Sequence, residues 1–549
     1  MPRADSDPLP PSRARTWNPL TLALLAALWM AVFANWPLWR AIAALPEMAS
    51  PRGALFIAGF AAAVAALTFA LLALFSWRWT ATALIALFLV AAACGAHFIG
   101  NYGIVIDPTM MINVLQTDVR ETRDLLSWRL LASVLLLAGV PLWWLARQRV
   151  RQLPFWRQLG RNTLASLAAT ALVAALVFAL FADLSATMRN HKSLRYMINP
   201  LTSFFSLGVV LADVRAKPAG PPRPIGRDVT VLARPAGARP ALLLFVVGET
   251  ARADHFSLNG YARPTNPELA TRGVISFRNV TSCGTSTASS LPCMFSHLGR
   301  RGFESRAEDH ENLLDLLQRA GLAVLWLDNQ AGCKGLCDRV PHASASGPAA
   351  LCAAGECFDE ALLLGLDERL AALPAERRAR GVVLVLHQMG SHGPAYFKRS
   401  PPNRKPFQPE CRTNVLQQCP HEALINAYDN TIAYTDHVLA QAIDWLAQRQ
   451  SDYDGALLYV SDHGESLGEN NLYLHGLPYA LAPREQIHVP MVLWLAPQAG
   501  GVPRDCVQAQ RDSALSHDNL FHTVLGFAGV ASAEYQPDLD LMAACRGKH

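Results

Sequence analysis

The sequence predicts a two-part protein. An N-terminal α-helical membrane domain with five transmembrane helices precedes a C-terminal α/β/α domain built on a mainly parallel sheet. Three observations carry this. Of the 549 residues, 51% belong to the hydrophobic set and only 17% are charged, against about 25% charged in an average soluble domain. Almost all the long apolar runs fall before residue 183. Beyond residue 240, apolar runs of strand length alternate with helical patterns, as in a sheet covered by helices on both faces. The net charge of +5 is small for this length. With no basic stripe carrying interleaved aromatics, it argues against nucleic acid as a partner.

Five runs, at 19–45, 53–75, 80–100, 128–146 and 162–181, are apolar enough to cross a core of ~30 Å, which takes about 20 helical residues. The first run is long, lacks a small-residue cleavage site and is followed by four more, so it does not read as a signal peptide. Basic residues set the orientation. Arg3, Arg13 and Arg15 precede the first run, Arg78 follows the second, and Arg147, Arg149, Arg151, Arg157 and Arg161 follow the fourth. Placing these on the cytoplasmic side puts everything after residue 181 on the other side. The loop 101–127 then faces outward. Its Asn113, Thr117 and Glu121 are spaced i, i+4, i+8 and would share one face of a helix; a solvated interfacial helix explains the spacing equally well. Residues 189–207 read as a helix lying in the membrane surface, and 217–240, rich in Pro, Gly and Arg, as an extended linker. The expected domains are therefore 1–183 (membrane), 184–240 (interfacial helices and linker) and 241–549 (globular).

Cysteine usage agrees with this topology. Ten of the 11 cysteines follow residue 282 and fall into close couples: 283 with 293, 333 with 337, 352 with 357, 411 with 419, and 506 with 545. Clustered cysteines without repeated CxxC pairs point to disulfides and an oxidising compartment. The eleventh, Cys94, sits within an apolar run.

In the globular part, strands are expected at 241–247, 322–327, 381–386, 456–460 and 489–495, and helices at 312–320, 358–373, 426–448 and 517–527. Ligands of such sheets gather beyond the carboxyl ends of the strands. Glu249 follows the first strand, His387 and His392 follow the third, and Asp462-His463 follows the fourth. Each alone is ordinary: an acid in a surface loop, a histidine in a buried hydrogen bond. Together they supply the oxygen and nitrogen ligands that suit Zn²⁺. A hydroxyl cluster, Thr285-Ser286-Thr287, precedes an apolar helical start, where backbone N–H groups favour phosphate. A threonine hydroxyl held by zinc would lose its proton more readily and serve as a nucleophile.

The stretches VVGETARADHFSLNGYARPTNPEL, SCGTSTASSLPCMFS, DNQAGCKGLCDRV, HQMGSHGPAYFKR and YVSDHGESLGENNLYLHGLPYA, with the outer loop around Asn113, resemble the lipid A phosphoethanolamine transferases. These are membrane-anchored members of the alkaline phosphatase/sulfatase superfamily. The likeness covers nearly the whole chain. It implies Glu249, Thr287, Asp462 and His463 as zinc ligands and Thr287 as the nucleophile. It places His392 and His475 near the substrate phosphate, either binding a second zinc during turnover, protonating the leaving group or activating the acceptor. Lys334 is implied to hold phosphate oxygens, although by local sequence it could be an exposed turn lysine. Asn113, Thr117 and Glu121 are implied to meet the cationic ethanolamine. Some relatives carry Ser where this chain has Ala331. Glu465 is a candidate for orienting His463 or a neighbour.

The expected reaction moves phosphoethanolamine from phosphatidylethanolamine to a phosphate of lipid A, through a phosphorylated Thr287. The enzyme is expected in the bacterial inner membrane with its catalytic domain in the periplasm, as a monomer by default. The resemblance also implies lower sensitivity to cationic peptides such as polymyxin, because an added ammonium offsets lipid A phosphate. Alternatives are transfer of phosphoethanolamine or phosphoglycerol to another acceptor (core heptose, glucan or protein), a sulfatase or phosphodiesterase-like hydrolase, and a non-catalytic sensor. The run CGTST lacks the C/S-x-P-x-R pattern of sulfatases, which disfavours that hydrolase.

Overall fold

The structure, a computed structural model, describes residues 16–117, 119–216, 220–233, 237–353, 355–497 and 499–546, and of 119–121 and 216 the backbone only. Arg3, Arg13 and Arg15, used above for orientation, lie outside the described residues, as do Lys217 at the start of the expected linker and the side chain of Glu121. Contacts divide the chain into two units. One comprises residues 1–101 and 128–205, the other 102–127 and 206–549.

In the helical unit, α1 (Pro19–Ala34) and α2 (Trp36–Ala43) form a pair bent by 48°. The long helices α3 (Pro51–Leu74) and α4 (Ala81–Tyr102) follow. After α5 (Pro108–Gln116) and α6 (Val119–Leu125), which belong to the other unit, come α7 (Trp128–Ala146), α8 (Phe155–Ala179) and α9 (Phe181–Asn190). Four of these helices are long and apolar enough to cross a membrane, and the bent pair brings the number to five if it counts as one span. The bend falls at Asn35, where amide side chains replace the interrupted helical bonds. Asn35 Nδ2 donates to Met30 O (3.0 Å), and Asn199 Nδ2 donates to Ala34 O (3.1 Å) and Ala92 O (2.6 Å). Carbonyls freed in an apolar medium need such partners. Polar contacts also join α3 and the turn after it to α8: Ser166 Oγ donates to Ala70 O (3.0 Å) and Asn162 Nδ2 to Ser76 O (3.1 Å), as small polar residues do between membrane helices.

One expectation fails nearby. The surface helix anticipated at 189–207 is interrupted: a 3₁₀ turn, Lys192–Met197, ends before Pro200, and α10 (Leu201–Ala216) starts after it. Pro200 lacks an N–H donor and its ring disfavours helical geometry in the residue before it.

The globular unit is organised on an eight-stranded sheet. Its strands are β1 (Ala241–Gly248), β2 (Ile275–Thr281), β3 (Ala323–Asp328), β4 (His342–Ser344), β5 (Val382–His387), β6 (Asp454–Ser461), β7 (His488–Leu495) and β8 (Leu515–Ser516), in the order β8-β2-β7-β6-β1-β5-β3-β4. Only β7 runs antiparallel to its neighbours; the other pairs are parallel. The central strands read as unbroken apolar runs because both faces are covered. The helices that bear on the site are α11 (Thr287–Met294), α12 (Leu313–Arg319), α13 (Leu366–Ala372), α14 (His421–Ala447) and α15 (Asp518–Ala528). The helix expected at 358–373 is two pieces, a 3₁₀ turn Asp359–Leu363 and α13, because Gly365 adopts φ +64° between them. Strand β2 was not anticipated: Arg278 and Asn279 break its apolar pattern. Residues 220–233 and 237–240 form an irregular segment with turns at 227–228 and 237, within which Thr230–Val231 pairs with Val530–Ala531.

All five cysteine couples close as disulfides, 283–293, 333–337, 352–357, 411–419 and 506–545, and Cys94 is free.

Candidate metal and phosphoryl-transfer site

Sheet register assembles the centre of the site. Parallel pairing sets Gly248 of β1 opposite Ser461 of β6, so the next residues, Glu249 and Asp462, emerge side by side. Beyond β3 comes Gln330, whose Nε2 donates to Glu249 Oε2 (3.0 Å). Helix α11 brings its first residue, Thr287, against them. Thr287 Oγ1 lies 3.1 Å from both Glu249 carboxylate oxygens and 3.5 Å from His463 Nε2. His463 Nε2 is 3.3 Å from Glu249 Oε1 and 3.4 Å from Asp462 Oδ2. Glu249, Asp462 and His463 are fully buried.

Backbone geometry serves this cluster. Thr250 adopts φ +52°, unusual for a β-branched residue. It is held there by its N–H to Asp462 Oδ1 (3.2 Å) and by Tyr428 OH donating to its carbonyl (2.7 Å). Gly390 is required by close approach: a Cβ there would sit 2.8 Å from Glu249 O, and its φ is +52°. His463 Nδ1 pairs with Gly464 O (2.9 Å). A carbonyl can only accept, so Nδ1 carries a proton, and Nε2 is the nitrogen turned to the cluster, open to a cation once its own proton is lost.

The donor set fits a divalent cation. One ligand atom from each of Glu249, Asp462 and His463 lies within 4.8 Å of the others. Asp462 Oδ2 is buried and accepts no hydrogen bond among the described residues, a costly state unless a positive charge compensates it. Burial and then the charge of Glu249 push Asp462 up to about 7. Burial opposes charge on His463, but Asp462 and Glu249 raise it to about 10. Burial likewise opposes the Glu249 charge, yet its hydrogen bond to His463 and the neighbouring imidazoles hold it well below the usual carboxylate range. Two carboxylates and an imidazole at this spacing call for a shared positive charge.

Two further histidines stand beside the cluster. The His475 ring centroid is 4.3 Å from that of His463 and 6.0 Å from that of His392. His475 Nδ1 is 3.2 Å from Glu465 Oε1, so Glu465 orients His475. His463 Nδ1 is engaged by Gly464 instead. Arg399 Nε donates to His392 O (2.9 Å), and Asp124 holds the Arg399 guanidinium. His387 pairs with Asp328 (3.0 Å) under the sheet end, as a buried structural histidine would.

The remaining expected residues make contacts of their own. Lys334 Nζ donates to Gln116 O (3.2 Å) and Ala331 O (3.4 Å). It lines a cavity of about 890 Å³ with Gln116, Ile112, Thr285, Ala288 and Pro292. The single helical face expected for Asn113, Thr117 and Glu121 is not formed. Helix α5 ends at Gln116, Thr117 is extended (φ −63°, ψ 130°) with its hydroxyl on Asn113 O (2.8 Å), and Glu121 falls in the separate α6. Thr117 follows only two helical turns and caps them with its own side chain, a competing bond typical of threonine.

Sequence reading missed Gln330 and His517. Gln330 gave no signal beyond its place after β3. Its replacement by Ala is expected to lower transfer about tenfold by freeing Glu249, a loss of one charge-assisted hydrogen bond, with kcat rather than KM changing. His517 is 1% exposed. Its Nδ1 accepts from Cys283 N (3.0 Å) while Nε2 donates to Ser461 O (3.0 Å), tying the loop before α11 to β6. Burial lowers it to about 3, against 6.5 when unfolded. Between those values the unfolded chain binds the extra proton, so stability falls as pH drops from about 6.5 toward 3, by up to about 1.4 kcal/mol per unit. The thermal midpoint of the full chain in detergent is expected to fall between pH 7 and pH 5, and His517→Asn to flatten that slope; an unchanged slope contradicts the assignment.

A parallel sheet with carboxylates and imidazole at its strand ends, faced by a hydroxyl at a helix N-terminus, defines the sulfatase class. The Sulfatase family model matches residues 241–530. A second model, for phosphoethanolamine transferase EptA/EptB, matches residues 64–214. Phosphoethanolamine transferase EptA of Escherichia coli strain K12 is 39% identical over 544 residues, covering 96% of this chain and 97% of that protein. Phosphatidylethanolamine transferase Mcr-1 of Escherichia coli is 41% identical over 463 residues, covering 82% and 84%. The solved integral membrane lipooligosaccharide phosphoethanolamine transferase A (EptA) of Neisseria meningitidis superposes with a TM-score of 0.91 at 32% identity, over 97% of this chain and 100% of that one. The chain belongs to the EptA/EptB phosphoethanolamine transferase family, within the alkaline phosphatase/sulfatase superfamily. It is a multi-pass membrane protein whose globular unit is periplasmic.

Proposed function

We infer that this enzyme transfers phosphoethanolamine from phosphatidylethanolamine to a phosphate of lipid A, by way of a phosphorylated Thr287. The observation that carries the reading is Thr287 Oγ1 set 3.1 Å from Glu249 and 3.5 Å from His463, at the first turn of α11. Glu249, Thr287, Asp462 and His463 would hold Zn²⁺, whose oxygen and nitrogen donor preference they meet. Bound there, the ion supplies positive charge that favours an ionised hydroxyl and neutralises phosphoryl oxygens. A second zinc at His392 and His475 is not needed for the steps below.

Thr287 Oγ1 attacks the donor phosphorus. The Oγ1–P bond forms as the P–O bond to diacylglycerol breaks, and the proton that Thr287 gives up would reach the departing oxygen through the imidazoles of His392 and His475. In the second half, a lipid A phosphate oxygen attacks the same phosphorus, the Oγ1–P bond breaks, and Thr287 is returned. The N-terminus of α11 would add positive potential beside the transferring phosphoryl group. Lys334 and the adjoining cavity of 890 Å³ are suited to the phosphate oxygens and glycerol portion of the lipid. Asn113, Thr117 and Glu121, on the loop that also supplies Gln116 and Asp124 to this unit, are assigned to the ethanolamine end of the donor. Mass spectrometry of lipid A from a host lacking the activity tests the reading. Expression of the wild type adds one phosphoethanolamine to lipid A. Unmodified lipid A, with new phosphoethanolamine on heptose, glucan or protein, would redirect the acceptor.

A further inference from the structure

The helical unit carries two adjoining concavities that the transfer reaction does not use. One, of 460 Å³, is polar and lies where α3 begins and along α9; Glu47, Ser50, Arg52, Asp183, Thr187 and Asn190 line it. The other, of 100 Å³, is apolar throughout and lined by Phe60, Val64 and Leu67 of α3 with Val177 of α8, Leu184 of α9 and Leu180 between them. They meet along the same helices. Phe56 borders the polar pocket and Phe60 the groove, about 6 Å further along α3. On α9 the change from polar to apolar is made by successive residues, Asp183 and Leu184. From Arg52 to Leu67 the helix rises about 22 Å, enough to follow a lipid from headgroup to mid-chain in one leaflet.

The charges have the pattern of a zwitterion. Arg52 makes two hydrogen bonds to Asp183 (2.9 and 3.1 Å), and its side chain is still 75% exposed. Glu47 faces the same pocket and is half exposed, 2.9 Å from His191. The N-terminus of the 24-residue α3 adds positive potential beside Arg52. We propose that this pocket and groove form a second phospholipid site, selective for a headgroup with a primary ammonium. The phosphate sits on Arg52 and the start of α3, the ammonium on Glu47 and Asp183, and an acyl chain in the groove. An anionic glycerol headgroup would leave both carboxylates facing a negative ligand. A choline headgroup could not donate hydrogen bonds to them.

The test uses the full chain in phosphatidylglycerol nanodiscs carrying a trace of phosphatidylethanolamine with a diazirine in its acyl chain. After irradiation, labelled peptides are mapped by mass spectrometry. Label is expected on residues 59–67 and 173–184, in excess over Trp128–Ala146, a span with only 11% of its apolar window buried. Arg52→Glu is expected to reduce that label about tenfold, as for loss of a charge-assisted contact, and Leu67→Trp to reduce it by filling the groove. Arg52→Gln serves if the charge reversal does not fold. Label spread evenly over lipid-facing helices, equal labelling by a phosphatidylglycerol probe, or indifference to both substitutions overturns the proposal. Labelling requires no turnover, so its failure leaves the transfer reaction untouched.

Discussion

Thr287→Ala is expected to reduce phosphoethanolamine transfer on the order of 10⁴-fold or more, the scale seen when a catalytic nucleophile is removed. The expectation follows from position. Thr287 is the hydroxyl that the fold sets within 3.5 Å of both Glu249 and His463, and it begins α11. Removing it should not unfold the unit. Glu249 keeps its bond from Gln330, and one lost buried hydrogen bond costs about 1–2 kcal/mol. Thr287→Ser keeps an oxygen but loses the branched side chain that restricts χ1, so it should retain part of the activity. The decisive readout is covalent: with donor lipid and no acceptor, the peptide containing Thr287 should gain one phosphoethanolamine in the wild type and none in Thr287→Ala. Normal transfer by Thr287→Ala would remove the two-step mechanism.

Exhaustive chelation is expected to abolish transfer and to lower the thermal midpoint, and Zn²⁺ should restore both. Glu249 and Asp462 are wholly buried and adjacent, and Asp462 Oδ2 has no hydrogen-bond partner among the described residues. A cation bound only by the folded state adds stability as RT ln(1 + [L]/Kd), about 4 kcal/mol at 1,000 times Kd. Asp462→Asn removes one ligand charge and should weaken metal binding by about 100-fold or more, beyond the loss typical of an outer-shell change. Full activity in protein stripped to well below one metal per chain would rule out a metal-dependent reaction.

Much of this was legible along the chain because local chemistry was enough. Apolar runs set the membrane helices, strand-length runs set β1, β3, β5, β6 and β7, and paired cysteines met as neighbours close in sequence. Glu249 and Asp462-His463 declared themselves by following apolar strands. Where the reading failed, the deciding interaction came from elsewhere or from a local breaker. Strand β2 is stabilised by pairing with β7 and β8 despite Arg278 and Asn279. Breaks before Pro200 and at Gly365 interrupt stretches that periodicity alone would have continued. The run from Asn113 to Glu121 broke at Thr117, whose hydroxyl turns back on Asn113.

The sequence by itself determined the ingredients of this protein: apolar helices, an oxidised globular unit, and acids, imidazoles and a hydroxyl at the ends of predictable elements. Only the tertiary structure decided that Gly248 would register with Ser461, that Gln330 would meet Glu249 and His517 tie Cys283 to Ser461, and that Glu465 would turn to His475. The reason is physical. Burial and periodicity are encoded residue by residue, whereas strand register and the meeting of loops depend on contacts between segments up to some two hundred residues apart.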